Sequence, residues 1–225
     1  MVTDILTITF WIALIEIIGI NIILSGDNAV VIALACRNLG EKQQKIGIFL
    51  GSFAAVILRI IFTLFISFLI ETPYIKIIGG LLLFWIGFKL LTEDEVNQDS
   101  VHSPDRLWSA VWTIMVADAV MSLDNVIAVA AAAKGNYPLL ILGLVISIPL
   151  VVYGATLILK LISKFPIIVT LGAALIGYIG ADVIIKDVSI EPYIAANGNW
   201  LFTVAPLVGL FIPSLIARFF KSKDF

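Results

Sequence analysis

Long runs of Val, Ile, Leu, Ala and Phe fill most of the chain, separated by short polar joints. A hydrocarbon core about 30 Å thick needs about 20 apolar residues in a helix. Seven segments meet that requirement: 5–35, 46–70, 74–91, 107–133, 139–162, 167–185 and 200–220. Two joints carry helix breakers, Glu71-Thr72-Pro73 and Lys164-Phe165-Pro166, and the stretch 92–105 reads as a solvated cytoplasmic linker. The first run exceeds a straight span by about ten residues, as a helix broken partway would. The pattern therefore predicts an all-α, polytopic membrane protein with seven transmembrane helices.

The apolar runs contain a repeat. Ser25-Gly26-Asp27-Asn28 returns as Ser122-Leu123-Asp124-Asn125, 97 positions later, and Asn21 and Asp118 each stand six residues before the motif aspartate. Pro73 and Gly79 return as Pro166 and Gly172, and Gly87 as Gly180, at a spacing of 93. Each unit holds three spans, an odd number, so the second must enter the membrane in the opposite sense. The expected organisation is a first three-helix repeat over 1–91, the linker 92–105, a second, inverted repeat over 106–186, and an extra helix over 199–221. Pro206 and Pro213 are expected to kink that last helix.

Composition agrees with the pattern. Of 225 residues, 61% are hydrophobic and 13% charged, with mean hydropathy +1.11; soluble domains carry about 25% charged residues. With the N-terminus outside, ten cationic residues (Arg37, Lys42, Lys45, Lys89, Arg106, Lys160, Lys164, Arg218, Lys221, Lys223) fall inside, and Lys76, Lys134 and Lys186 outside. The positive-inside bias thus predicts N-out and C-in. The N-terminus lacks the basic start and cleavage site of a signal peptide, so the first run is expected to stay as a span. No basic patch suits nucleic acid, and no Gly-x-x-x-x-Gly-Lys-[Ser/Thr] suits ATP. One cysteine, Cys36, and one histidine, His102, exclude an intrachain disulfide, a thiolate cluster and a His-rich zinc site.

Aspartates at membrane depth cost a few kcal/mol and mark a site by default. Asp118, Ser122 and Asn125 share one face of a regular helix, as do Asn21, Ser25 and Asn28. Asp27 and Asp124 lie off that face unless each helix unwinds at Ser-x-Asp, which Gly26 favours in the first copy. The resulting ligand set is Asp27, Asp118 and Asp124, helped by Asn21, Asn28, Asn125, Ser25 and Ser122. All are hard oxygen donors, suited to Mg, Ca or Mn rather than Cu or Zn. Arg59, deep in the second span, is expected to pair with a site aspartate and offset the charge of the site. Glu16 reads equally as a release-path or coupling group and as a solvated interfacial residue. Asp182 reads as the i,i+4 partner of Lys186. The five tryptophans read as interface anchors and the glycines as close helix contacts.

The tandem motifs, Leu24 to Asn28 and Ser122 to Asn125, resemble those of the TerC family of integral membrane proteins. The fuller strings, Asn21 to Ala33 and Ala117 to Val126, are similar to its YjbE-like branch. The resemblance covers nearly the whole chain and implies membership of the LysE-type exporter superfamily. It also implies a non-enzymatic role in manganese efflux across the bacterial inner membrane. Many relatives carry Glu where this chain has Asn21. On this reading Mn2+ is the transported ion, with no prosthetic group. The partners are the divalent ion, protons and the bilayer, and a homo-oligomer is left open. The competing readings are an exporter of amino acids or other small solutes, a non-transporting assembly or metalation factor, and an intramembrane aspartyl protease.

Overall fold

The structure, a computed structural model, describes residues 8–65, 72–92, 104–133 and 136–221. Most of the linker expected over 92–105 lies outside them. The described residues form helices and no strand: α1 (Ile8–Leu24), α2 (Gly26–Cys36), α3 (Glu41–Leu64), α4 (Ile75–Thr92), α5 (Pro104–Ala133), α6 (Tyr137–Lys164), α7 (Ile167–Ile185), α8 (Glu191–Asn197), α9 (Leu201–Gly209) and α10 (Ile212–Lys221). α1 and α2 bend by 53° at Ser25; counted as one broken span, they bring the candidate membrane-crossing helices to seven. The last of these is interrupted at Leu210 and Phe211, between Pro206 and Pro213. The short α8, begun by Glu191-Pro192, was not expected from the apolar pattern. Its seven residues are too few to register in hydropathy.

The break expected in the second motif is absent. α5 runs unbroken through Ser122-Leu123-Asp124. The two copies differ at one position: glycine is a poor helix former, whereas leucine is among the best.

Small residues set how the helices meet. α4 lies along α7, and the α-carbons of Gly80 and Gly180 approach so closely that a Cβ on Gly80 would sit 2.4 Å from the Gly180 carbonyl oxygen. Seven residues further along α4, Gly87 faces the carbonyl of Ala173, seven residues earlier on α7, so the two helices are antiparallel. α3 lies along α5, where Gly51 receives Ile114, and α6 lies along α1, where Gly143 receives Ile17. Ile17 and Ile114 are 97 apart, the spacing of the motifs. Exchanging the first three spans for the second therefore exchanges one contact for the other. The outward faces are apolar, as a lipid-facing surface requires: Ile15, Ile23, Phe49, Leu64, Leu81 and Tyr153 are exposed, and so are all five tryptophans. Trp85 stands in the middle of α4 rather than at its end.

Candidate functional site

Where the chain breaks between α1 and α2, the end of α1, the start of α2 and the interiors of α3, α5 and α6 converge on a knot of polar side chains inside apolar packing. Arg59, on α3, is only 3% exposed and Asp118, on α5, 6%. The Arg59 guanidinium donates from Nη2 to Asp118 Oδ1 (2.6 Å), from Nε to Ser122 Oγ (3.0 Å), and from Nη1 to Ser25 Oγ (2.6 Å) and Asn21 Oδ1. The same Asp118 oxygen accepts from Asn28 Nδ2 at 2.5 Å, and Ser122 donates to Asp118 Oδ2 at 3.1 Å. Asn21 Nδ2 donates to Ser147 Oγ on α6 at 2.5 Å, and the Ser147 hydroxyl donates in turn to the Leu144 carbonyl at 2.6 Å. The first-copy and second-copy motifs thus meet on one guanidinium, which also neutralises the buried carboxylate. A charge this deep is tolerable only when paired and hydrogen-bonded in this way.

The break itself contributes to the site. Ser25 occupies the N-cap position of α2 but makes no capping bond; its hydroxyl serves Arg59 instead. Across the break, Asn125 Nδ2 donates to the Leu24 carbonyl at 2.8 Å. That carbonyl is at the end of α1 and has lost its intrahelical donor. Asn125, expected among the ion ligands, is here a clasp of the second repeat on the broken helix of the first. Asp27, half-buried in the first turn of α2, accepts the backbone N–H of Asn28 at 2.9 Å.

A cavity of about 20 Å3 lies against this network, lined by Asn21, Ser25, Asn28, Ser52, Arg59 and Asp118 among others. That is room for about one water or one bare cation. Two of these residues carry a buried oxygen, Asn28 Oδ1 and Ser52 Oγ, with no hydrogen-bond partner among the described residues. Every donor atom in the lining that could bind a cation is a hard oxygen, which fits Mn, Mg or Ca.

The expected three-carboxylate cluster is not assembled: among the described residues no three of His, Cys, Asp and Glu come together as metal ligands would. Because α5 stays helical, Asp124 points away from Asp118, as a turn of about 240° over six residues requires. Its carboxylate, 36% exposed, takes Lys76 Nζ at 2.7 Å and lies 3.9 Å from Lys186 Nζ, which also binds Asp182 at 2.6 Å. Asp182 thus pairs with Lys186, and the pair extends to Asp124. Glu16 is exposed on α1 and does not line the cavity.

Sequence reasoning missed three positions. Ser52 and Ser147 line the cavity from helices that carry no motif. Asp187, fully buried just past α7, accepts the backbone N–H groups of Tyr74 and Lys76 (both 3.1 Å) and of Ser189 (2.9 Å), besides the Ser189 hydroxyl. It caps α4 from the turn that follows α7 and fixes the backbone at Tyr74, whose φ is 67°. Burial pushes its carboxyl up, but the Ser189, Tyr74 and Lys76 donors outweigh that and hold it below the usual value.

The model of the integral membrane protein TerC family matches residues 6–224. The chain belongs to the TerC family. It is therefore a multi-pass integral membrane protein. It is 37% identical over 215 residues to YjbE of Bacillus subtilis (strain 168), covering 96% of this chain and 98% of that one. It is 34% identical over 166 residues to YceF of the same organism, covering 70% of this chain and 64% of YceF. YkoY, also of B. subtilis, is 24% identical over 215 residues, covering 84% of this chain and 66% of that protein. All three are described only as uncharacterized membrane proteins. No solved structure matches the chain.

Proposed function

We propose that this TerC protein is a transporter that exports divalent metal ions, manganese(II) in particular, across the bacterial cell membrane, coupled to protons. The observation that carries the reading is the small cavity at the helix break, where Ser25 and Asn28 of the first motif face Asp118 of the second repeat, every possible cation ligand is an oxygen, and two of the lining residues carry unpartnered buried oxygens. A discontinuous helix at mid-membrane between two opposed repeats is a usual setting of a transported ion, here supplied by the first repeat alone, and the antiparallel α4–α7 contact supports that symmetry. Arg59 and the ion compete for Asp118: the guanidinium holds the carboxylate when the ion is elsewhere, and its positive charge helps to expel the ion. Asp27, half-buried and bonded to no cation among the described residues, is the group we assign to proton exchange. Alternating access then follows from one three-span unit rocking against the other. The excess of cationic residues on one side supports an orientation with the N-terminus outside and the C-terminus in the cytoplasm. An amino-acid exporter would need donors for a substrate carboxylate, and the one guanidinium at the site is already engaged by Asp118.

The test is reconstitution in vesicles, with manganese, calcium, magnesium and iron(II) offered separately to wild type, Asp27→Asn and Asp118→Asn. Manganese should enter under a pH gradient with wild type and fail with either variant. Absence of uptake of every ion, with the gradient in either direction, refutes the transport reading.

A further inference from the structure

Ser52 lies on α3, seven residues before Arg59 and on the same face, about 10 Å along the axis. It is 2% exposed, and its hydroxyl meets no partner among the described residues. That is unusual for a hydroxyl inside a helix, whose default is the carbonyl one turn back. Thr63, Thr113 and Thr156 all take that default, at 2.8, 2.8 and 2.7 Å. Ser52 instead lines the cavity, as does Asn28, which carries the other unpartnered oxygen, Oδ1.

The orientation of the Asn28 amide is fixed by chemistry. An ionised Asp118 paired with Arg59 can only accept, so the Asn28 atom at 2.5 Å from it must be the NH2 group. The carbonyl oxygen is thereby left without Asp118 as a partner. Two neutral, unpartnered oxygens on residues that line a one-atom cavity suit a small ligand that draws on lone pairs from both. We infer that Ser52 is an ion ligand, forming with Asn28 Oδ1 a neutral two-oxygen subsite beside the Arg59–Asp118 pair, through which the transported cation passes. The inference rests on the transport reading and adds a helix to it. Asn28 links the two positions, because its amide touches the ion at one end and Asp118 at the other. A cation on Oδ1 polarises the amide and strengthens its bond to Asp118, on the same oxygen that Arg59 uses. Arrival of the ion thus loosens the guanidinium.

The experiment compares wild type, Ser52→Ala and Ser52→Cys in vesicles, reading initial uptake of manganese and cadmium against concentration. Thermal unfolding of the purified proteins with and without each ion is a second readout. Ser52→Ala should raise the half-saturating manganese concentration roughly tenfold, as loss of a supporting ligand does, without lowering the unfolding temperature in the absence of ion. Ser52→Cys, a softer donor, should shift preference from manganese toward cadmium. A Ser52→Ala protein with wild-type half-saturation and wild-type ion-induced stabilisation overturns the inference and leaves the cavity to a structural water. A wild type that neither transports nor is stabilised by any ion overturns the transport reading and this inference together.

Discussion

The Arg59–Asp118 pair carries the sharpest prediction about what holds this site together. Replacing Arg59 by Met keeps an unbranched side chain of similar reach but strips four hydrogen bonds from Asn21, Ser25, Asp118 and Ser122. The worst consequence is at Asp118, 6% exposed, whose charge keeps, among the described residues, only Asn28 and Ser122 as donors. Breaking one half of a buried pair costs about 3–5 kcal/mol, whereas replacing both halves by uncharged groups is often close to neutral. For a chain of this size, 1 kcal/mol moves the unfolding midpoint by about 2–4 °C. Arg59→Met should therefore unfold roughly 6–20 °C below wild type in detergent. Arg59→Met combined with Asp118→Asn should recover most of that loss, because the uncompensated charge is gone. Tryptophan fluorescence during a thermal ramp measures all three proteins. The reasoning fails if Arg59→Met melts with wild type, or if the double variant melts no higher than Arg59→Met.

The remaining predictions concern packing, the break and the ends of the helices. Gly80→Ala should destabilise by about 1–3 kcal/mol or more, since its Cβ would strike the Gly180 carbonyl, while Gly154→Ala, with its nearest neighbour at 3.6 Å, should melt near wild type. Asn125→Ala should cost about 1–3 kcal/mol by stranding the Leu24 carbonyl, whereas Gly26→Ala, whose Cβ meets nothing within 4 Å, should be tolerated; equal melting of the two would refute the clasp. Lys76→Met should cost no more than about 1 kcal/mol, because Asp124 is partly solvated and retains Lys186, and melting curves at low and high salt would check it. Asp187→Asn should lower stability at neutral pH. The native carboxyl titrates below its unfolded value, so its contribution is complete above the ordinary carboxylate range and is lost as pH falls through the native value. Melting points of wild type and variant should therefore converge in acid; a gap that stays constant with pH would contradict the assignment.

Much of this protein is decided by sequence alone. Apolar runs of bilayer length dictate spanning helices, because in hydrocarbon each backbone polar group must find its partner within the segment. The doubled motif and the recurring glycines carry the repeat, and a lone arginine deep in a span requires an acid nearby. Gly26 and the length of the first run announce a broken helix, which the structure places at Ser25. The second motif shows the limit of such reasoning. Similarity of the two strings suggests the same break, but Leu123 keeps α5 helical, and that continuity turns Asp124 toward Lys76 and Lys186. Which carboxylate meets which cation depends on helices far apart in sequence, and local periodicity says nothing about them. Arg59 reaches Asp118 across 59 positions, Asn21 reaches Ser147 across 126, and Lys76 reaches Asp124 across 48. Ser52 and Asp187 belong to no motif, and an isolated serine or aspartate gives no periodic signal. Only the packing of helices on their glycine faces brings them to the cavity and to the end of α4.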